Sequence, residues 1–437
     1  MIVMKFGGTS VGNAERIQNV CELVQRNLAE KPIIVVSAIG GITDKLLNAG
    51  REAIEGNMHP FDEISLIHST IVHQLHLDQT LVQEKLAQLL RLLKEIAQKK
   101  ELTLQTTDQL SSFGERLSAK IVAASLVKNK IPAQSFCAWE IGLLTDSNFG
   151  SALPLPESDE LIKEKLLSLS ITPVITGFIA HDKRGRITTL GRGGSDYSAA
   201  IIGAAMECRE IQIWTDVDGV MTTDPRIVKH AQTNPQVSFM EAAEMAYFGA
   251  KVLHPSTILP AVDKNIPVRV LNTFKPQAKG TLILKETGKQ KSLKCIACKK
   301  NITIITISSA RMLNAYGFLA KIFEVFKKYK KSVDLIATTE VSVSLTIDNE
   351  DKLTEIMNEL REFGEVSVKR ERVSISLIGD GLIHTKGIAG RIFSVVGNQG
   401  VNIEMITQGS SEINVSFVVK KEEYEKAVSA LHHEFFE

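Results

Sequence analysis

The chain has 437 residues, enough for two or three domains, and its 44% hydrophobic and 23% charged residues are typical of a globular protein. A net charge of +1 and an aromatic content of 5% argue against a nucleic-acid-binding surface. No apolar run reaches the roughly 18 residues that a membrane span needs, and the five scattered cysteines suit a reducing compartment, so we expect a cytoplasmic protein.

The chain opens with a short apolar strand, MIVMKF, followed by a glycine turn and a predicted helix. Gly7, Gly8 and Thr9 form the turn, and Lys5 stands just before it. A strand, a glycine turn and a helix in this order make a cradle of backbone N–H groups for phosphate. The chain contains neither a Walker A nor a Rossmann pattern, so the cradle does not belong to those nucleotide-binding folds.

A second glycine turn lies in the segment Thr188–Ala200, which reads TTLGRGGSDYSAA. Arg192 offers a planar guanidinium that suits a carboxylate or a phosphate. Ser195 and Asp196 stand where an apolar run would begin as a helix, so free N–H groups point toward one anion. The alternative interpretation is a tight glycine turn with an N-cap serine.

A third polar loop, TDVDGVMTTDPR, follows the apolar run 211–214, which predicts a buried strand. Loops at the carboxyl ends of strands bind ligands in open α/β sheets. Thr215, Asp216 and Arg226 in this loop can hold nucleotide phosphates, a ribose or a magnesium shell. A plain Asp-Gly turn followed by Asp-Pro is the alternative.

Strand-like and helix-like segments alternate as far as about residue 283, which predicts a mostly parallel sheet covered by helices. The predicted strands include 33–36, 172–179, 211–214 and 268–271. The polar segment 285–294 shows no periodicity, so we place a domain boundary there and expect a first domain of residues 1–285.

The rest of the chain contains an internal repeat with the order strand, helix, strand, strand, helix, strand. The phrases GFLAKIFEVFKKYKKSVDLI and GIAGRIFSVVGNQGVNIEMI correspond, which predicts two domains, 300–371 and 372–437. The second copy lacks its last strand, and the apolar segment 293–299 can supply it, so we expect the two copies to be nested. Both resemble ACT domains, which bind small amino acids at domain interfaces.

Four segments in order resemble the amino-acid kinase family and, within it, the aspartate kinases: KFGGTS, TTLGRGGSDYSAA, WTDVDGVMTTDPR and FGAKVLHP. The resemblance implies an α/β fold, with an αβα sandwich around a mostly parallel sheet followed by two ferredoxin-like ACT domains. It also implies transfer of phosphate from ATP, with Mg²⁺, to the side-chain carboxylate of L-aspartate. The product would be 4-phospho-L-aspartate, the first intermediate of lysine, threonine and methionine biosynthesis.

The same resemblance implies roles for single residues. Lys5 would stabilise the transferred phosphoryl group and Asp196 would orient it. The residues matching substrate-binding positions, with Glu115 receiving the ammonium group, are Thr43, Glu115, Phe178, Arg192 and Ser195. The residues matching nucleotide-binding positions are Gly7, Gly8, Thr9, Thr215, Asp216, Met221, Arg226 and Lys251. No metal site made of protein side chains alone is expected. On sequence alone, Glu115 fits equally a surface residue or an ion-pair partner of Arg116.

One nucleotide position departs from the family, which commonly has tyrosine where this chain has Met221. A thioether is polarizable and can lie against an adenine face, but the ring stacking is lost. We therefore expect a weaker adenine platform and a retained function.

The first ACT copy resembles the lysine-inhibited, single-function branch of the family. Asp334 and Glu340 would counter the ammonium groups of lysine, and Thr338 and Thr339 would bind its carboxylate. The full set of expected effector residues is Met312, Gly317, Phe318, Leu319, Ser332, Val333, Asp334, Thr338, Thr339, Glu340 and Val341. Paired ACT domains associate through their sheets, so a homodimer or a dimer of dimers is expected.

Two other functions compete with this reading of the sequence. A kinase of the same fold could act on another acid, such as glutamate or an N-acetylated acid. A catalytically dead sensor could use the ACT domains to bind an amino acid and a partner. A sensor would not need Lys5, Arg192, Asp196 and Lys251 together, so the sequence favours the enzyme.

Overall fold

The computed structural model describes residues 1–249, 253, 255–287, 293–313, 316–408 and 413–437, and these form two compact units. The first unit comprises the described residues of Met1–Val220, Pro235–Phe239 and Val252–Thr287. The second comprises those of Met221–Asn234, Met240–Lys251 and Gly288–Glu437. Part of the predicted boundary segment 285–294 lies outside the described residues.

The secondary structure of the described residues is as follows. The strands are β1 (Ile2–Phe6), β2 (Pro32–Val36), β3 (Ala133–Phe136), β4 (Leu144–Thr145), β5 (Thr172–Thr176), β6 (Ile179–Asp182), β7 (Ile187–Thr189), β8 (Glu210–Thr215), β9 (Gln236–Ser238), β10 (Val268–Asn272), β11 (Thr281–Leu284), β12 (Cys295–Ser308), β13 (Ile336–Thr338), β14 (Ser342–Ile347), β15 (Glu365–Ile378), β16 (Met405–Thr407) and β17 (Asn414–Lys420). The helices are α1 (Ala14–Arg26), α2 (Ile42–Ile54), α3 (His59–Gln74), α4 (Gln83–Lys99), α5 (Leu104–Ser111), α6 (Phe113–Lys128), α7 (Ser158–Leu167), α8 (Gly194–Ala205), α9 (Phe239–Tyr247), α10 (Leu259–Asp263), α11 (Phe318–Lys328), α12 (Leu353–Leu360), α13 (Ile388–Asn398) and α14 (Tyr424–Phe436).

The first unit is built on a mostly parallel sheet, as the alternating pattern predicted. Its strand order is β3-β5-β2-β1-β8-β10-β11-β9, and the β10–β11 pairing is antiparallel. Strand β1 lies between β2 and β8 and is parallel to both, so the carboxyl ends of these three strands meet at one edge. All five residues of β1 and all five of β2 are buried, as expected for strands covered on both faces.

Helices α1, α2, α4 and α6 contribute to the main core of this unit. Helix α4 begins at Gln83 and buries Leu86, Leu89 and Leu93. These side chains belong to the same core as Phe6 of β1 and Ile34 of β2. Burial of such side chains stabilises the fold by about 1.5–3 kcal/mol each. The resulting core holds the carboxyl edge of the sheet in place.

The apolar run 172–179 differs from its prediction as one strand. Strand β5 ends at Thr176, and β6 begins at Ile179 in a separate sheet of order β4-β6-β7. The break lies at Phe178, whose φ of 66° is left-handed, and at Gly177, where a Cβ atom would approach the Ser195 Cα to 2.9 Å. Only glycine allows that approach, so the backbone turns out of the sheet and carries Phe178 with it.

The second unit has a six-stranded antiparallel sheet of order β13-β14-β12-β15-β17-β16. Strands β12 and β15 each have 14 residues and run through both halves of the repeat. Cys295–Lys299 pairs with Ser374–Ile378 of the second half, whereas Ile304–Ser308 pairs with residues 365–369 of the first. This is the pairing that a nested arrangement requires.

The sequence pattern divided each long strand into two shorter ones. The register shifts between Lys299 and Ile304, and Asn301 and Glu371 have left-handed φ values of 57° and 55°. The residues at this irregularity are half-buried or exposed, and their polar side chains are typical of a loop. The flanking halves carry separate cores, one with α11 and α12 and the other with α13 and α14.

Within the predicted first domain 1–285, residues 221–234 cluster with the second unit. Ile296 of β12 donates its N–H to the Thr222 carbonyl at 2.8 Å, and the Thr223 hydroxyl donates to the Ile296 carbonyl at 2.9 Å. These bonds add the segment to the edge of β12. Among the described residues, no helix combines the length and the apolar character that crossing a membrane requires.

Acidification should destabilise this fold through His68. The His68 ring is fully buried on α3, its Nδ1 lies 2.7 Å from the Ile64 carbonyl oxygen, and burial lowers the pKa of its imidazole. Below about pH 6.5 the unfolded chain takes up a proton that the folded chain resists, so stability falls. We expect the wild-type melting temperature to drop several degrees more than that of His68→Leu between pH 7.5 and 5.5. Parallel curves would contradict this.

Candidate active site

A cavity of about 420 Å³ lies at the carboxyl edge of the parallel sheet in the first unit. It is lined by Lys5, Gly8, Ser37, Ala38, Ile39, Gly40, Gly41, Thr43, Asp44, Glu115, Phe178, Gly191, Arg192, Gly193, Gly194, Ser195 and Asp196. The structure thus brings both predicted catalytic residues and all five predicted substrate-binding residues to one cavity, although they are spread over about 190 residues of the chain.

Two helix N-termini open onto this cavity, and each is preceded by a glycine in the left-handed conformation. Helix α2 follows Gly41 (φ 79°), and α8 follows Gly193 (φ 70°). The first N–H groups of a helix have no partner within the helix, and the helix dipole adds partial positive charge there. The cavity is therefore suited to bind anions such as phosphate.

The turn after β1 packs backbone to backbone on the turn after β2. The Gly40 N–H donates to the Gly8 carbonyl at 3.0 Å, and a Cβ atom on Gly8 would lie 2.7 Å from the Ala38 carbonyl oxygen. A larger residue than glycine would push these two turns apart. Gly7 and Thr9, the other predicted cradle residues, stand beside Gly8 but do not line the cavity: the Gly7 N–H donates to the Trp214 carbonyl, and the Thr9 carbonyl accepts from Arg16.

Lys5 supplies a cation at the centre of the cavity. It lies on β1 and is only 8% exposed, and its Nζ is 2.6 Å from Oδ1 of Asp196 in the first turn of α8. Partial burial strengthens such an ion pair relative to one in water. Asp196 therefore holds the Lys5 ammonium beside the two helix N-termini.

Glu115 places a buried carboxylate in the same cavity. It is 3% exposed, and its Oε1 accepts one hydrogen bond, from the Ala38 N–H at 3.0 Å. Its Oε2 is buried and has no hydrogen-bond partner among the described residues. Burial raises the pKa of Glu115 to about 8, an effect that the nearby Lys5 charge partly offsets. An unpaired buried carboxylate oxygen is costly, so this site is suited to a cationic ligand group.

The alternative role of Glu115 as partner of Arg116 is not what the structure shows. The Arg116 guanidinium donates to Oε1 of Gln88 at 3.0 Å and lies over the Phe113 ring, 4.7 Å from its centroid. The side chains of Glu115 and Arg116 therefore contact different parts of the protein, and the Glu115 carboxylate stays available to the cavity.

Comparison with known proteins agrees with this geometry. The model of the amino acid kinase family matches residues 1–272, and an ACT domain model matches residues 305–354 and 375–435. Aspartokinase 1, chloroplastic, of Arabidopsis thaliana is 43% identical over 456 residues, covering 100% of this chain and 80% of the relative. Lysine-sensitive aspartokinase 3 of Escherichia coli is 37% identical, covering 100% and 99%. The chain belongs to the aspartokinases of the amino acid kinase family.

Solved aspartokinase structures share the fold over the whole chain. The E. coli aspartokinase III complex with aspartate and ADP superposes with a TM-score of 0.83 at 35% identity, and both chains are covered completely. The Clostridium acetobutylicum aspartate kinase superposes with a TM-score of 0.86 at 32% identity, again with complete coverage. The predicted α/β fold, kinase class and ACT domains are thereby confirmed.

Of the predicted nucleotide residues of this aspartokinase that the structure describes, Gly8 alone lines the cavity. Thr215 and Asp216 follow β8 in the first unit, and the Thr215 hydroxyl donates to the Asp216 carboxylate at 3.2 Å. Arg226 belongs to the second unit, where its 87% exposed side chain pairs with Asp224 at 2.7 Å. Lys251 lies outside the described residues. Binding of ATP by these residues stays a prediction.

Replacing Met221 by tyrosine should tighten nucleotide binding. Met221 is half-buried, and its Sδ accepts a hydrogen bond of 3.5 Å from the Thr233 hydroxyl. An aromatic ring stacked on adenine would strengthen binding about three- to tenfold relative to a thioether. The KM for ATP should fall accordingly in Met221→Tyr, while the KM for the acid substrate stays constant. An unchanged KM for ATP would show that this residue does not touch the base.

A second cavity of about 380 Å³ lies in the first ACT half. It is lined by Met312, Leu313, Gly317, Phe318, Leu319, Thr338, Thr339 and Glu340. The other predicted effector residues, Ser332, Val333, Asp334 and Val341, are not part of this lining. The Asp334 carboxylate instead forms an ion pair with Lys299 at 2.7 Å and accepts a hydrogen bond from the Tyr247 hydroxyl at 3.0 Å. The structure therefore separates the predicted effector residues into two groups.

The sequence analysis missed the lining residues Ser37 to Gly41. The signal was present, because Gly40 and Gly41 follow the buried strand β2 just as Gly7 and Gly8 follow β1. Strands that are parallel neighbours place such turns side by side. The sequence analysis also missed Asp108, whose carboxylate accepts hydrogen bonds from the Gly150 and Thr189 N–H groups. No local sequence pattern marks this residue.

Proposed function

We propose that this aspartokinase transfers the γ-phosphoryl group of ATP to the side-chain carboxylate of L-aspartate, which yields 4-phospho-L-aspartate, and that lysine inhibits it through the first ACT half. One observation carries the substrate assignment: the unpartnered Oε2 of Glu115 shares a cavity with Lys5 and with two helix N-termini. Two superposed structures of E. coli aspartokinase III, one in complex with aspartate and ADP and one with lysine and aspartate, support it.

The cavity provides a place for each charged group of aspartate. Glu115 receives the ammonium group, while Arg192, Ser195 and Thr43 bind the α-carboxylate. The side-chain carboxylate then faces the phosphoryl group. An ionised carboxylate is already a nucleophile, so the enzyme needs positioning and positive charge more than it needs a general base.

Lys5 counters the charge that develops on the phosphoryl oxygens. The Asp196 carboxylate, 2.6 Å away, keeps the Lys5 ammonium in place before the substrate binds. The N–H groups at the starts of α2 and α8 add further positive potential. Donors that are in place before the reaction stabilise the transition state without reorganisation.

Mg²⁺ would enter with ATP and neutralise charge on its phosphates. Magnesium in such sites is held by one or two carboxylates together with phosphate oxygens. The residues fit this ion, because the Asp196 carboxylate lies in the cavity beside Lys5 and is 14% exposed.

Release of ADP by the purified protein with Mg-ATP tests the proposal. Turnover with L-aspartate, and not with N-acetyl-aspartate, is expected because Glu115 binds a free ammonium group; turnover with glutamate in place of aspartate would shift the substrate assignment. Turnover with an acetylated acid alone would contradict the Glu115 assignment. Absence of turnover with every acid would favour the sensor.

Titration with lysine in the same assay tests the regulation. Turnover that falls as lysine rises is expected, and Glu340→Ala should raise the half-maximal lysine concentration, since Glu340 lines the ACT cavity. Inhibition that survives Asp334→Ala at unchanged half-maximal lysine would exclude Asp334 from the lysine site.

We further propose the domain limits 1–285, 300–371 and 372–437, with strand 293–299 completing the last. The ACT matches at 305–354 and 375–435 support the two regulatory domains. Edge strands β13 and β16 carry the exposed Ile336 and Ile406, which supports assembly into a dimer or a dimer of dimers. Light scattering tests this assembly. A cytoplasmic location and a place at the start of lysine, threonine and methionine biosynthesis stay predictions.

A further inference from the structure

A buried carboxylate with three hydrogen bonds belongs to Asp108 on helix α5. It is 2% exposed, and burial raises the pKa of this carboxyl group against the effect of its hydrogen bonds. Its Oδ2 accepts from the N–H groups of Gly150 and Thr189, both at 2.9 Å. Its Oδ1 accepts from the Thr189 hydroxyl at 2.8 Å. Asp108 does not line the cavity itself, so any role in the reaction must act through these partners.

The partners of Asp108 lie at the base of the glycine loop that lines the cavity. Thr189 ends β7, and the loop begins two residues later at Gly191. The Thr189 carbonyl also accepts from the Ala152 N–H at 2.8 Å, and a Cβ atom on Gly191 would lie 3.3 Å from the Gly150 carbonyl oxygen. Asp108 therefore joins two backbone segments at the point where the loop leaves the sheet.

Beyond the anchor at Thr189, the loop backbone is held by the Leu190 N–H, which donates to the Phe178 carbonyl at 2.9 Å, and by the Gly194 N–H, which donates to the Gly191 carbonyl at 3.0 Å. Gly191 and Gly193 have left-handed φ values of 77° and 70°, and glycine pays the largest conformational entropy on ordering. Arg192 between them is exposed and makes no hydrogen bond or ion pair within the described chain. The position of its guanidinium consequently depends on the backbone, and the backbone depends on the anchor at Thr189.

The same pair of helices also positions Glu115. Asp108 lies on α5 and Glu115 on α6, seven residues apart, with only Ser112 between the two helices. The helix pair thus holds the glycine loop through one carboxylate and presents the other carboxylate to the cavity. The distance between the proposed ammonium site and the proposed α-carboxylate site depends on this connection.

We infer that Asp108 is a positioning residue for aspartate binding: it anchors the glycine loop through Thr189 and Gly150, so that Arg192 and Ser195 meet the substrate opposite Glu115. This inference rests on the proposed function. Asp108 touches no reacting group, and its effect is expected on the substrate-binding constant of the acid more than on that of ATP.

Two variants of Asp108 separate hydrogen bonding from charge. Asparagine can accept both backbone N–H groups with its oxygen and donate its amide to the Thr189 hydroxyl, so Asp108→Asn keeps all three bonds. Alanine removes all three. We expect Asp108→Ala to raise the KM for aspartate about tenfold or more, because small displacements of binding groups are costly. The KM for ATP should change less than about twofold, and Asp108→Asn should restore the KM for aspartate nearly to that of the wild type.

Ser158→Ala serves as the matched control. Ser158 is fully buried in the same unit, and its hydroxyl donates to the Leu144 carbonyl at 2.9 Å and accepts from the Leu144 N–H at 3.0 Å. Among the described residues, its hydroxyl makes no hydrogen bond to the glycine loop. Loss of its bonds should lower the melting temperature as Asp108→Ala does, yet leave the KM for aspartate unchanged. Equal changes of both KM values in Asp108→Ala, or an equal effect in the control, would overturn the inference.

Hydrogen exchange of the loop amides gives a readout independent of turnover. Amides of residues 189–196 should exchange at least about tenfold faster in Asp108→Ala than in the wild type or in Ser158→Ala. If wild-type protein turns over no acid, the proposed function fails, while this measurement still decides whether Asp108 anchors the loop. Unchanged exchange in Asp108→Ala would overturn the anchor in either case.

Discussion

Replacing Lys5 by alanine should lower kcat about a thousandfold while the KM for aspartate changes less than about threefold. Lys5 is the cation of the cavity, 2.6 Å from Asp196 and 8% exposed. The phosphoryl oxygens gain negative charge in the transition state, where the Lys5 ammonium stabilises them most. Removing Lys5 therefore destabilises the transition state more than the enzyme–substrate complex. Steady-state kinetics with ATP and aspartate varied separately measures this split.

Lys5→Arg is the control for charge without the ammonium geometry. A guanidinium keeps the charge but spreads it over a larger plane, so we expect recovery of only a small part of kcat. Thermal unfolding of both variants shows whether the fold persists, because Asp196 loses its partner in Lys5→Ala. Near wild-type kcat in a folded Lys5→Ala protein would remove Lys5 from the mechanism.

Glu115→Gln should raise the KM for aspartate about a hundredfold with little change in the KM for ATP. The substrate ammonium would lose a charged, buried acceptor, and hydrogen bonds to charged groups contribute about 1.5–3 kcal/mol. The wild type should also show a pH dependence that the variant lacks. Burial raises the pKa of Glu115 to about 8, so at lower pH the free enzyme holds a proton that the ammonium group must displace.

The sign of this pH effect follows from the ionised form being the one that binds. Below about pH 8, kcat/KM for aspartate should rise about tenfold per pH unit, and it should level off above that pH. The Glu115→Gln profile should be flat in this range. A wild-type profile that is flat between pH 6 and 8 would contradict the assigned role.

Thermal unfolding gives an independent check on Glu115. A carboxyl group with a raised pKa in the folded state loses stability as pH rises through about 8, because the charged form is poorly solvated there. Glu115→Gln should therefore melt at a higher temperature than the wild type at pH 8. A loss of binding with a gain of stability would separate a binding role from a structural one.

Much of the kinase fold was predictable because its signals are local. The apolar runs before Gly7 and Gly40 predict strands, and glycines after a strand predict turns that approach a ligand. Asp196 stands in the first turn of α8, as expected from its place before an apolar helix. These features depend on a few neighbouring residues, so a single sequence contains them.

The ACT half shows the limit of such local signals. The polar residues 299–301 and 369–371 look like loops, although β12 and β15 run straight through them. Pairing along two long antiparallel neighbours supplies hydrogen bonds that no residue in the segment reveals. The nested order could be inferred only because one repeat lacked a strand.

The sequence by itself determined the class of fold, the family and the residue types of the cavity, since periodicity, glycine turns and motif order are properties of the chain. Only the tertiary structure decided which partners the buried carboxylates have. Glu115 and Arg116 are neighbours that face different surroundings, and Asp108 meets Thr189 across 81 residues. Burial and partner choice depend on contacts between distant segments, and those contacts exist only once the helices have packed on the sheet.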